Sequence, residues 1–436
     1  MKASWDLTQR CNLNCKHCGA ANYISKRHEL EEKDLLKIVD NMSGMITLVD
    51  LLGGEPLVCK GIEALLIKLE KSEIDYNIIT NGQHEKEKTR SLLKNKKRLK
   101  TLLISLEGMQ KENDMIRGEG SFDKAISFIE EIKEIKKENK LQCEIKINIT
   151  MNKLNKDNIE KMISYFIEVE KVDGIQFVPM RKEGNAQVND YLILTDAELL
   201  KYYEKIAKYI MKNNYEKMVG MDYSVLKIPK YLDAKYGMTL NIFGKKCNAG
   251  ESEIYINAIG EASPCRECNN MLIDLKKESL RSNYNRFNEF MLKKTIKENF
   301  KSECNCVYND ICNECIYIKR QSEEKICQLI SSKLENTRMF NEICFISNDD
   351  AIFLEDMTRD FFAVYYLSLN ERIEYEQVGF IILKLIRDKA LSAETISDII
   401  GIDKEIIFQF LVQEQSKSHV KQVVEGDNNE KILVQK

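Results

Sequence analysis

Six short runs rich in apolar and β-branched residues recur through the first half of the chain. They lie at Ser4–Leu7, Ile46–Leu52, Ile74–Thr80, Leu102–Leu106, Glu144–Thr150 and Gly174–Pro179. Between them lie longer stretches with apolar residues three and four apart, such as Leu35-Leu36-Ile38-Val39 and Ala125-Ile126-Phe128-Ile129-Ile132. That spacing lines one face of a helix. Strand and helix in repeated alternation predict parallel βα units, because a crossover helix returns the chain to the start of the next strand. Six units fall short of a closed eight-fold barrel, leaving part of a barrel or an open doubly wound sheet. In either fold the loops after the strands carry the active residues.

The 436 residues allow about three domains, and 43% hydrophobic with 31% charged residues is an ordinary core-forming balance. Lys plus Arg is 66 and Asp plus Glu is 69, a formal charge of −3, so no global charge favours nucleic acid or an anionic membrane. No apolar run is long enough for a membrane span, and the start, Met1-Lys2-Ala3-Ser4-Trp5-Asp6, lacks the apolar core of a signal peptide. The expected location is cytoplasmic. There, disulfides are rare, and clustered cysteines bind metal or do chemistry. The chain has fourteen. Cys59, Cys143 and Cys344 stand alone and are expected to be buried as small apolar residues.

Cys11, Cys15 and Cys18 follow the first strand as C-x3-C-x2-C. Three thiolates within eight residues can wrap one small cluster but leave one iron of a [4Fe–4S] cube open to a chelating ligand. A structural zinc would need a fourth protein ligand, and His17, inside the loop, is poorly placed to share a metal with its neighbours.

Further motifs stand at the ends of later runs: Gly53-Gly54-Glu55-Pro56, Thr80-Asn81-Gly82, Ser105-Leu106-Glu107-Gly108 with Arg117-Gly118, and Val178-Pro179. Singly each is a turn or a solvated charge. Together, behind the cysteine triplet, they resemble the radical S-adenosylmethionine (SAM) superfamily. The resemblance implies that the open iron chelates SAM, whose reductive cleavage gives a 5′-deoxyadenosyl radical that takes hydrogen from substrate. It implies cluster ligation by Cys11, Cys15 and Cys18. Gly53, Gly54 and Glu55 would meet the SAM amino group, and Asn81 would lie beside SAM. Ser105 and Arg117 would hold its carboxylate, and Val178 would lie near the adenine. The acidic residue at the Glu107 position is usually Asp in the family. No catalytic residue is assigned.

A helix is predicted from Thr195 to about Asn214, and a second cysteine field follows. Twelve residues separate Cys247 from Gly260, four more separate Gly260 from Cys265, and Cys268, Cys304, Cys306, Cys312, Cys315 and Cys327 complete it. The field resembles the SPASM extension of radical SAM peptide-modifying enzymes, although the Cys304-x-Cys306 and Cys312-x2-Cys315 spacings are each one residue shorter than usual. The resemblance implies two auxiliary [4Fe–4S] clusters, one on Cys247, Cys265, Cys315 and Cys268, the other on Cys304, Cys306, Cys312 and Cys327. Two four-cysteine zinc sites are the alternative. In sulfatase-maturing relatives an Asp follows the cysteine matching Cys265; here it is Arg266.

Beyond Cys344, candidate strands Ala351–Leu354 and Phe361–Leu367 precede helical runs near Tyr375–Asp388, Ala393–Ile400 and Lys404–Gln413, and the polar tail after His419 is expected to fray. This pattern is similar to the small winged-helix-like domain that recognises leader peptides by adding them to a sheet edge.

The expected fold is therefore α/β: a partial (β/α)6 TIM-type barrel (1–190), a helical bridge (191–240), a Cys-rich SPASM iron–sulfur domain (241–335), an α+β winged-helix-like domain (345–420) and a tail (421–436). The expected function is modification of a ribosomally made precursor peptide, with a thioether cross-link favoured over a carbon–carbon bond or sulfatase maturation. The leader would bind the C-terminal domain, and electrons would come from a donor such as flavodoxin or ferredoxin. The non-enzyme alternative is an iron–sulfur or zinc sensor, which would have no use for the SAM loops.

Overall fold

The computed structural model describes residues 1–21, 28–222 and most of 249–287, together with seven later strands and isolated positions. The chain divides into two compact units. The first comprises Met1–Tyr223, Cys247–Phe300 and Cys315–Lys319; the second comprises Ser224–Lys246, Lys301–Glu314 and Arg320–Lys436.

In the first unit the six expected runs become β1 (Lys2–Thr8), β2 (Leu48–Gly53), β3 (Asp75–Thr80), β4 (Leu99–Ser105), β5 (Glu144–Met151) and β6 (Gly174–Pro179), side by side in chain order and all parallel. Helices α1 (Glu32–Met42), α2 (Ile62–Lys71), α3 (Lys86–Leu93), α4 (Gln110–Arg117), α5 (Ser121–Asn139) and α6 (Ile159–Ser164) lie between the strands in sequence. The last runs on into a π-helical turn at Tyr165–Val169. Each helix buries one stripe; α1 does so with Leu35, Ile38, Val39 and Met42. Against such stripes the strands set Trp5, Leu7, Tyr76, Ile104, Ile147 and Phe177, all fully buried. Burying a side chain of this size contributes about 1.5–3 kcal/mol.

The sheet extends beyond the six expected strands. The helix expected from Thr195 is α7 (Asp196–Asn213), opened by a capping box in which the Thr195 hydroxyl accepts the Glu198 amide while the Glu198 carboxylate accepts the Thr195 amide. It leads to β7 (Val219–Met221), parallel to β6. On the other side β8 (Glu253–Ile256) pairs parallel with β1, and β9 (Glu261–Ser263) and β10 (Ile273–Asp274) follow antiparallel. Part of the second cysteine field is thus stitched into the main sheet. The turn between β8 and β9 uses Gly260 at φ +83, a left-handed conformation that suits glycine.

The second unit holds β11 (Ile343–Ser347), β12 (Ala351–Asp356), β13 (Phe361–Tyr366), β14 (Glu371–Glu374), β15 (Leu391–Ser392), β16 (Val420–Glu425) and β17 (Lys431–Leu433). They form a three-stranded antiparallel sheet, β12-β13-β14, and a four-stranded one, β15-β11-β16-β17. The expected fraying after His419 is corrected here. Val420–Glu425 pairs with β11 from Ser347↔Val420 to Ile343↔Val424 and carries β17 on its far edge. Main-chain bonding on both edges and the β-branched Val420, Val423 and Val424 outweigh the polarity of the neighbouring run. Tyr375–Asp388 and most of the two later helical runs lie outside the described residues.

Candidate functional site

β1 ends at Thr8, and the next residues form the cysteine loop. The Thr8 hydroxyl accepts the Arg10 amide at 3.0 Å, and Arg10 pairs with Glu29 at 3.1 Å. The loop after β2 then grips it, Gly54 N donating to Thr8 O and Glu55 N to Arg10 O, both at 2.8 Å. Glycine is required there, because a Cβ on Gly54 would lie 2.1 Å from Arg10 O, and Gly53, at φ +121, would place one 2.7 Å from Thr8 O.

The Glu55 carboxylate, 1% exposed, joins the second loop to the third. One oxygen accepts Leu57 N and the Thr80 hydroxyl, and the other accepts Asn81 N at 2.7 Å. Asn81 in turn donates to Asn12 at 2.8 Å and stands 3.9 Å from Cys11 Sγ. Behind the fourth strand, Arg117 Nε and Nη2 both reach Glu107 Oε1, while Nη1 stands 3.9 Å from Cys15 Sγ. His17 Nε2 lies 3.1 Å from the same Glu107 oxygen, and Thr150 N donates to the other. Burial alone would raise the Glu107 carboxyl, but His17 and Arg117 hold it well below the usual carboxylate range. Burial pushes all three loop thiols up, Cys15 to about 12 against the pull of Arg117.

These residues surround one cavity of about 640 Å³, in the size range of small-molecule sites. Cys11, Cys15, Cys18, Gly53, Gly54, Glu55, Asn81, Ser105, Arg117 and Val178 all line it. Of the remaining cysteines, Cys265 and Cys268 lie just after β9, the Cys268 amide donating to Cys265 O at 3.1 Å. Cys59 and Cys143 are buried. Cys247, Cys304, Cys306, Cys312, Cys315 and Cys327 lie outside the described residues, as does the Cys344 side chain on β11. Among the described residues, no three His, Cys, Asp or Glu side chains converge as a single-ion site, and no helix is long and apolar enough to cross a membrane.

One group of loop-holding residues escaped the sequence reading. After β6, Asn185 donates its amide N–H to Cys18 O at 2.9 Å, and its side chain donates to Asn14 Oδ1 and Cys15 O. Asn189 reaches Lys16 O at 3.1 Å. Gly184, at φ +54, makes room, since a Cβ there would lie 2.3 Å from Cys18 O. The Gly-Asn pair beyond a strand was a turn signal; its target could not be read from spacing.

Residues 5–166 match the family described as the Radical SAM superfamily. This stretch is a radical SAM domain. Fe-coproporphyrin III synthase of Methanosarcina barkeri is 29% identical over 198 residues, covering 44% of this chain and 48% of that protein. Mycofactocin maturase MftC of Mycolicibacterium smegmatis is 28% identical over 160 residues, covering 36% and 39%. The chain spans less than half the length of these curated relatives. Among solved structures, SuiB of Streptococcus suis bound to its precursor peptide SuiA is similar in fold, with a TM-score of 0.56 at 20% identity over 75% of each chain. The radical SAM domain implies a [4Fe–4S] cluster and SAM, and the residues present fit them. Three thiols from one loop line the cavity, and the buried His17 Nδ1 has no hydrogen-bond partner.

Proposed function

We propose that this chain is a radical SAM enzyme that modifies a ribosomally made precursor peptide and links a cysteine sulfur to a peptide carbon. One observation carries the reading: the three loop cysteines and all seven expected SAM-contact residues line a single cavity. Likeness in sequence to a mycofactocin maturase, and in fold to a protein solved with its precursor peptide, supports the peptide as substrate class.

In this reading Cys11, Cys15 and Cys18 hold a [4Fe–4S] cluster, which when reduced supplies an electron to cleave SAM. The chain's own residues bind and orient. Backbone at Gly53 and Gly54 allows close approach of the SAM amino group. Ser105 and the Nη1 side of Arg117 take the carboxylate, a guanidinium matched to two oxygens, while Glu107 fixes the other side of the fork. Val178, on the cavity wall, would lie near the adenine. Cys247, Cys265, Cys268 and Cys315 form one auxiliary-cluster set, and Cys304, Cys306, Cys312 and Cys327 form the other. The second unit takes the leader of the peptide. The mode would be addition of an extended segment to a sheet edge.

The test is anaerobic reconstitution with iron and sulfide, followed by a one-electron reductant and SAM. Production of 5′-deoxyadenosine by the wild type and none by Cys15→Ala is expected. Reconstituted wild type that carries cluster iron and leaves SAM intact would return the chain to the sensor class. Supplied with a cysteine-containing precursor, the enzyme is expected to yield a peptide lacking two hydrogen atoms and one free thiol.

A further inference from the structure

Asp6, near the carboxyl end of β1, is 7% exposed, and its two oxygens have different surroundings. Oδ2 accepts the Tyr255 hydroxyl from β8 at 2.6 Å and faces Arg266 Nη2 at 3.4 Å. Oδ1 is buried without a hydrogen-bond partner. A buried acceptor of this kind is costly and marks a place where a partner is expected to arrive. Asp6, Tyr255, Asn257 and Met271 line a second cavity, of about 250 Å³. Gly53, Gly54, Ala20 and Arg266 line both it and the 640 Å³ cavity. It is smaller than ordinary small-molecule sites and is sized for one side chain.

We propose that this second cavity is a subsite for one residue of the peptide substrate, with Asp6 Oδ1 accepting a hydrogen bond from a neutral donor on it. The donor is a hydroxyl, a thiol or an amide. Arg266 already balances the Asp6 charge, so a second cation gains little there, and a substrate carboxylate would meet Asp6 as a like charge. Asn257 lines the same wall and adds a neutral polar surface. The inference rests on the peptide-modifying reading and adds to it a choice of residue.

The probes are N-acetylated, C-amidated tripeptides Gly-Xaa-Gly with Xaa serine, cysteine, asparagine, alanine or lysine. Their binding to the reconstituted full chain is measured by equilibrium dialysis. Serine, cysteine and asparagine peptides are expected to bind at least about fivefold more tightly than alanine and lysine peptides, the factor one neutral hydrogen bond supplies. Asp6→Ala should reduce that ratio to near one. Should the variant fail to fold, the wild-type series decides alone. Equal binding of serine and alanine peptides, tightest binding of lysine, or no binding by any probe would overturn the subsite. Absence of 5′-deoxyadenosine from the same wild-type preparation would instead overturn the functional reading, so the two failures are distinct.

Discussion

Arg117 Nη2 lies 2.5 Å from Glu107 Oε1, with both side chains buried. The pair ties the end of β4 to the last residue of α4 and sets one donor of Arg117 near Cys15. Removing one member of such a pair leaves the other buried and uncompensated. Glu107→Gln is expected to lower unfolding free energy by about 3–5 kcal/mol, read from urea unfolding of the iron-free protein. The pair also carries a pH dependence. Burial would raise the Glu107 carboxyl, but His17 and Arg117 bring it down to about 2 from an ordinary value of 4.5. A folded value below the unfolded one stabilises fully above about pH 4.5, and that stability drains away as pH falls toward about 2. Between about pH 5 and 3, wild-type stability should fall more steeply than that of Glu107→Gln.

Gly54→Ala would drive a methyl group into the Arg10 carbonyl and displace the cysteine loop. Displacements near 1 Å cost about 10²-fold in rate. We expect a loss of 5′-deoxyadenosine formation of that order with the sheet intact, seen as an unchanged circular dichroism spectrum beside a weakened iron–sulfur absorption band. Full iron loading at wild-type turnover would contradict the gripping role of this loop.

Asn185→Ala removes two side-chain hydrogen bonds to the cysteine loop while the main-chain bond to Cys18 O survives. A cost of about 1 kcal/mol in stability is expected. The more sensitive measurement is the rate of iron loss to a chelator, which should rise in the variant.

Thr195→Ala removes one half of the box that opens α7. The expected cost is about 1 kcal/mol in thermal or chemical unfolding, with no change in SAM turnover, since neither partner lines the larger cavity.

Deleting residues 420–436 removes β16 and β17, two of the four strands in their sheet. Limited proteolysis should then degrade the second unit while a fragment holding residues 1–222 persists. Equal resistance of both units in the truncated chain would show that the tail strands carry no stability.

The parts of this molecule legible in sequence are those whose signal is local. The period change between runs such as Ile74–Thr80 and the helices around them marked six strands, because burial on alternate faces and on one stripe leaves separate spacings. Cys11, Cys15 and Cys18 announced themselves by proximity. The strands β7 to β10 did not, being two to four residues long, and β8, which carries β9 and β10, joins the sheet only by pairing with the distant β1. Arg117 was singled out in the sequence and lines the larger cavity, yet its hold on Glu107 needed the turn of α4 to bring them together. Asp6 read as one residue of a strand, and only the arrival of Tyr255, 249 positions later, gives it a setting.

The clasp from Asn185 to the cysteine loop joins segments about 170 positions apart, at the first and sixth strands of the sheet. The loop is therefore tied to the segment after the sixth strand as well as to the first. Amide hydrogens at Lys16 and Cys18, bonded to Ile116 O and Cys15 O, are expected to exchange with solvent on the slow schedule of the whole sheet and not on that of a surface loop.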